Sequence, residues 1–229
     1  MRDNTNITIT TDEKDVFKLE NLPPFDIADY DLNDEKDLRK YLFDAERIVR
    51  NSYLYKNLIS FLREHVDMTK CSFYENVNNI DSYSIKIHIH HAPLTLFDIV
   101  SIVFRKRLEN KEPLNINLLA KEVIFLHYMM LVGLIPLSET VHELVHNGFL
   151  FIPTDKVFGK YRDFVSMYEK YIDPQLMKTL EIAEEYTKTY DMMKETKVLE
   201  SKMVYLDPSG IYEFPKWEEL SKFMKENVK

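Results

Sequence analysis

Cysteine is almost absent from this chain: Cys71 stands alone among 229 residues. One thiol closes no internal disulfide and anchors no thiolate zinc site by itself. Glycine is nearly as scarce, at four, and no Gly-rich turn leads from a strand into a helix, which argues against a Rossmann or P-loop nucleotide site. Nucleophile motifs of the Ser or Cys hydrolase type are missing as well. Basic charge is outnumbered, 30 Lys and Arg against 38 Asp and Glu for a net charge of −8. Such a surface does not grip nucleic acid as a whole, so any anion site must be local. Long apolar runs are lacking too. The longest uncharged stretch, Val123 to Ser138, is sixteen residues interrupted by His127, Gly133 and Pro136, short of the roughly 20 that cross a bilayer. Met1 to Asn6 holds no apolar signal-peptide region, and the reading is a soluble, cytoplasmic chain. What is present suffices for one full-sized core: 45% of residues are hydrophobic and 13% aromatic, which excludes disorder as the main state.

The pattern divides into four stretches. Residues 1–33 are polar and then acidic, contain Pro23-Pro24 and show no helical period; they read as an extended arm. Residues 34–70 are helical. Leu38, Leu42, Ala45, Val49, Leu54, Leu58 and Leu62 recur every three to five positions, giving one long helix or two joined near Asn51-Ser52, with Asn33 or Asp34 as N-cap. Arg39, Lys40, Glu46 and Arg47 fall on the opposite, solvated face.

In residues 71–153, Cys71 to Val77 reads as a strand and Asn78-Asn79 as a turn. Ser84 to His91 alternates strictly, Ile85, Ile87 and Ile89 against Lys86, His88 and His90, so one face is buried and the other carries imidazoles. Leu94 to Glu109 and Ile116 to Leu131 read as amphipathic helices. Leu134 to Leu137 is a short strand, Ser138 an N-cap, Glu139 to His146 a two-turn helix and Asn147-Gly148 its left-handed end; Phe149 to Ile152 reads as a further strand. Residues 154–229 are mainly helical, at Tyr161 to Ile172, Gln175 to Glu195 behind Pro174, and Lys216 to Glu226, with a strand at Lys202 to Leu206. Tyr161, Phe164, Tyr168 and Tyr171 keep helical spacing, which suits packing better than base stacking. Trp217 reads as the seal of a satellite core.

Six of the seven histidines fall between positions 88 and 146. His88, His90 and His91 end a strand. His142 and His146, four apart, share one face of a short helix. Such a pair binds one divalent ion, and a third imidazole from a neighbouring strand leaves a coordination position free. The pair also spells His142-Glu143-Leu144-Val145-His146, the H-E-x-x-H pattern of zinc peptidases with Glu143 as general base. Here, however, Asn147-Gly148 ends the helix at once, and no later histidine exists to supply a third ligand.

The segment from Val132 to Gly148, with its Leu-Ile-Pro-Leu strand running into a helix that carries His142 and His146, resembles the back half of the HNH motif of His-Me finger endonucleases. Ile87-His88-Ile89-His90-His91-Ala92-Pro93, a histidine doublet before a proline, resembles the front half. The stretch also resembles proteins encoded by large tailed bacteriophages. The resemblance implies an α+β fold: a central ββα-metal core with a helical insertion, surrounded by α-helices. It further implies that His90, His142 and His146 hold a divalent metal ion (Mg, Mn or Zn), and that His91 is the general base activating water for attack on phosphorus. His88 then becomes a phosphate-contacting candidate. Ser138 and Val141 stand where zinc-stapled relatives have cysteine, so no structural zinc is expected. Gly133 stands where an Asn usually orients the base, leaving His127, Asn115 or Asn117 as substitutes if the fold brings one close. Arg105, Lys106 and Arg107 are the best phosphate-contacting cluster, although cations in a last helical turn also serve its dipole.

The expected function is metal-dependent hydrolysis of nucleic-acid phosphodiesters, DNA first, in the host cytoplasm if the protein is viral. The alternative is a non-enzymatic viral interaction or assembly protein that keeps the fold and loses the reaction. A zinc peptidase stands third.

Overall fold

A computed structural model describes residues 30–74 and 86–191. Residues 1–29 of the N-terminal arm, residues 75–85 with Val77, Asn78-Asn79, Ser84 and Ile85, and everything from residue 192 on, including Lys202 to Leu206, Lys216 to Glu226 and Trp217, lie outside the described residues.

The first two helices are α1 (Glu35–Asn51) and α2 (Tyr53–His65). Asp34 caps α1 by accepting from the Asp37 amide at 3.0 Å. Ser52 decides between one helix and two. Its hydroxyl donates to Val49 O at 2.9 Å and accepts from the Tyr55 amide at 3.1 Å, so one residue closes α1 and opens α2. A short strand, β1 (Ile87–His91), leads to α3 (Leu96–Glu109) and α4 (Ile116–Tyr128). α3 starts two residues later than its apolar pattern suggests, because Thr95 and Asp98 form a reciprocal capping box there. α4 stops at Tyr128 instead of Leu131. Met130 takes a left-handed φ of 54° and the Leu131 amide turns back to Leu126 O at 3.0 Å, which satisfies the terminal carbonyls without further helix.

Strand β2 (Leu134–Ser138) pairs antiparallel with β1, Ile87 opposite Ser138 and His91 opposite Leu134, and α5 (Glu139–His146) follows it directly. The left-handed end at Gly148 is present, with φ of 71°. α6 (Tyr161–Tyr168) gives way to a 3-10 turn at Glu169–Tyr171, and α7 (Pro174–Thr187) begins on its proline behind an Asp173 cap. Two expected strands are corrected. Cys71 to Tyr74 is irregular, and its Ser72 amide meets Pro136 O of the sheet at 2.9 Å. Phe149 to Ile152 is irregular because the Phe149 and Leu150 amides both return to Leu144 O to finish α5.

The fold is α+β, mostly helical, with a two-stranded antiparallel sheet. Its main apolar cluster is helical. Tyr41, Ala45 and Val49 of α1, Leu58 and Leu62 of α2, Ile99, Val100 and Val103 of α3, and Leu119, Val123 and Ile124 of α4 are joined there by Phe164, Tyr168 and Leu180. The helices between the two strands are therefore the centre of the core rather than an outlying insertion. The sheet stands beside them and presents one side to α5.

Arg107 shows how this core handles charge. It is 8% exposed, and its guanidinium meets Glu122 at 2.5 Å and the Pro113 carbonyl at 3.0 Å. Lys106 pairs with Glu112 and Glu122, and Arg105 with Asp173 at 3.7 Å. A buried guanidinium with carboxylate partners is a structural element, since losing either partner strands a charge. The expected phosphate-contacting role of Arg105, Lys106 and Arg107 is corrected accordingly: their charges are matched within the fold.

A candidate metal centre between a strand and a short helix

Alternation along β1 sorts its side chains. Ile87 and His91 are buried on the core side, while His88 and His90 lie on the α5 side. α5 brings His142 and His146 over that side. The His90 ring sits 5.0 Å from each of theirs, nearly perpendicular to both, and His88 stacks on His142 at 5.1 Å and 17°. One ring nitrogen from each of His90, His142 and His146 falls within 4.8 Å of the others. Nε2 of His142 and Nε2 of His146 are 3.1 Å apart. With metal–nitrogen bonds of 2.0–2.1 Å, ligand–ligand edges come to about 2.9 Å in an octahedron and about 3.3 Å in a tetrahedron. The helix pair already has that spacing. Burial above all, and then the neighbouring imidazoles and Arg50, push His90 down to about 4 and lower His142. Neutral imidazole is the ligating form, so His90 and His142 suit a divalent ion at neutral pH.

His91 points the other way. It is 4% exposed and held between Tyr55 and His127, so helices cover most of it, yet it still contributes to the lining of the cavity that opens over the triad. Its Nε2 lies 3.0 Å from Nε2 of His127, whose Nδ1 lies 2.7 Å from Val123 O. A carbonyl only accepts, so Nδ1 of His127 carries the proton and its Nε2 is an acceptor. His91 must then donate from Nε2, which leaves Nδ1 as its basic atom. Burial holds both rings neutral, His127 at about 4 and His91 well below the usual value. Of the three proposed orienters the fold brings in His127. Asn115 instead caps α4 through its side chain, and Asn117 lies on that helix's first turn. Gly133 explains why no Asn can stand in its place: a Cβ there would meet Ala92 O at 1.9 Å.

A cavity of about 430 Å³ opens over this cluster, lined by His88, His90, His91, His142 and His146 together with Arg50, Tyr55, Arg63 and Thr95. Arg105, Lys106 and Arg107 do not line it, and neither does the exposed Glu143. The peptidase reading thereby loses its general base. Arg50 and Arg63, absent from the sequence reading, are the cations that do reach the cavity. Nothing in their spacing marks them; they end α1 and α2, and only the packing of that helix pair against β1 brings them there.

A profile of the Bacteriophage G278-like virion proteins matches residues 2–209. The chain belongs to this family. Neither curated proteins nor solved structures give a match. The match takes in every element described above, so the histidine cluster lies wholly within the part of the chain that characterises these virion proteins. No described helix is long and apolar enough to cross a membrane.

Proposed function

We propose that this phage virion-family protein carries a metal-dependent phosphodiester hydrolase centre related to the His-Me finger, with β1, β2 and α5 as its ββα unit and nucleic acid as its substrate. The observation that carries the reading is the convergence of His90 from β1 with His142 and His146 from α5 on one point, with the His91–His127 pair directly behind it. His90, His142 and His146 hold the divalent ion, Mg, Mn or Zn. When bound, the ion neutralises charge on the phosphate and on the leaving oxygen. His91 takes the proton of the attacking water at Nδ1 and keeps donating from Nε2 to His127, which is itself fixed by Val123 O. The general base is depressed in the empty cavity, and the negative charge of a bound phosphodiester favours its protonated form. The family description supports residence in the virion in place of the cytoplasm.

Plasmid nicking with added Mg, Mn or Zn tests this. Cleavage is expected with at least one metal, and is expected to fall by more than about a hundredfold in His91→Ala while surviving in Glu143→Gln. Cleavage that persists in His91→Ala removes the base assignment; absence of cleavage on plasmid and on single strands with every metal removes the hydrolase.

The virion family favours a second reading, in which the same triad holds a metal that ties α5 to β1 in an assembled particle without turning over substrate. Its signature is a zinc-dependent rise in melting temperature, lost in His146→Ala, with no cleavage by the parent.

A further inference from the structure

Among the described residues, the cavity over the histidines is lined by Arg50 and Arg63 and by no aspartate or glutamate, in a chain whose acids outnumber its bases by 38 to 30. Arg63 is the unusual one. Its Nη2 donates to Ile87 O at 3.1 Å, which fixes the guanidinium against the start of β1. Its Nε is buried and has no partner, and no carboxylate pairs with it among the described residues. On the same wall, Nε2 of His88 is also buried without a partner. Arginine keeps its charge at any ordinary pH, so among the described residues the Arg63 charge stands with no carboxylate beside it in the cavity lining. Arg107, the other guanidinium set into the fold, has Glu122 and Glu112. Arg50 borders the cavity half-exposed, bound to Glu46 at 2.7 Å on its outer side.

We infer that Arg63 and His88, with Arg50 at the rim, form an anion subsite that takes a phosphate group beside the metal-binding triad. A phosphate offers acceptor oxygens on several sides, which is what an unpartnered guanidinium Nε–H requires, and His88 joins it in the tautomer that places a proton on Nε2. The cavity volume accommodates a phosphodiester with its neighbouring sugar. The phosphate is that of a nucleic-acid strand, an assignment that rests on the hydrolase reading; the anion subsite does not rest on it.

The test uses the full chain in EDTA, so that the triad is metal-free, with inorganic phosphate followed by calorimetry and a single-stranded 12-mer followed by fluorescence anisotropy. Both are expected to bind saturably. Arg63→Gln, which keeps a donor for Ile87 O and loses the charge, is expected to weaken both at least tenfold. Arg63→Lys is expected to stay within about threefold for phosphate, a charge-driven contact, and it serves as the folded comparison should Arg63→Gln unfold. Arg105→Gln is expected to bind as the parent does. Equal binding by parent and Arg63→Gln, or no phosphate binding by the parent, overturns the subsite. Phosphate binding without oligonucleotide binding overturns the nucleic-acid assignment and leaves a small phosphate compound as the ligand. Titration of the parent with Mg, Mn and Zn is scored separately: failure with all three while phosphate binding stays intact removes the hydrolase reading and not the subsite.

Discussion

Two pairs of histidines in this protein meet nitrogen to nitrogen at nearly the same distance, 3.0 Å for His91 with His127 and 3.1 Å for His142 with His146. The inner pair is buried and anchored at one end by a backbone carbonyl, so its protons are assigned and its contact is a hydrogen bond. The outer pair rides a two-turn helix at the surface, has no such anchor, and has a third imidazole converging on it. Equal spacing therefore serves different chemistry. What separates the two is burial and the presence of an acceptor that can fix a tautomer.

The sharpest way to break this comparison is to install at position 133 the Asn that His-Me finger enzymes use. If the inner pair were a dispensable stand-in, Gly133→Asn would be tolerated. The backbone of Ala92 leaves no room for any Cβ, so a loss of more than about 4 kcal/mol, or no folded protein, is expected in urea unfolding.

Next in size is a double dissociation. His127→Ala is expected to cost about 3 kcal/mol through the cavity it leaves and the donor it strands on His91, with zinc affinity within a few-fold of the parent. His146→Ala is expected to change metal-free stability by less than about 0.5 kcal/mol, as surface substitutions do, and to lower zinc affinity by at least about a hundredfold, equivalent to about 2.7 kcal/mol. Denaturation curves in EDTA and calorimetric zinc titration read the two axes. Any mixing of them, with zinc lost in His127→Ala or metal-free stability lost in His146→Ala, would merge the pairs into one unit.

Acid sharpens the contrast more gently. His127 is held at about 4, chiefly by burial, against about 6.5 when unfolded. Its folded pKa is depressed, so between those values the unfolded chain binds a proton that the folded one refuses. This contribution to stability is intact above about 6.5, declines as the pH falls, and levels off below about 4. From pH 7.5 to 5 in EDTA His127 by itself should cost about 2 kcal/mol, and His127→Gln should flatten the slope. A parent whose stability does not change over that range would show that the pair is not held neutral.

Much of the local structure was legible in the chain. The strand end at His91, the cap at Asp34, the break at Ser52, the proline start of α7 and the turn at Gly148 each announce themselves through residues within a few positions of where they act. The association of His90 with His142 and His146 was readable as well, because a doublet before a proline and an i, i+4 pair behind a short strand form a recognisable pattern. The strands expected over Cys71 to Tyr74, the described part of that segment, and over Phe149 to Ile152 are not formed, because apolar runs of that length do not reveal whether their amides go to a partner strand or back to a helix end. The basic run Arg105-Lys106-Arg107 was misassigned because Glu112 and Glu122, which neutralise most of it, are brought in by a turn and a neighbouring helix.

The sequence by itself settled the start of α7 at Pro174, the end of β1 at His91, the turn at Gly148 and which face of β1 carries imidazole, because these depend on short-range hydrogen bonds and on a period of two or 3.6 residues. The tertiary structure alone decided that His91 is covered, that His127 rather than an Asn receives its proton, and that Arg50 and Arg63 face the site while Arg107 does not. Those outcomes depend on which helix packs against which, and the packing brings together residues that lie far apart in the chain.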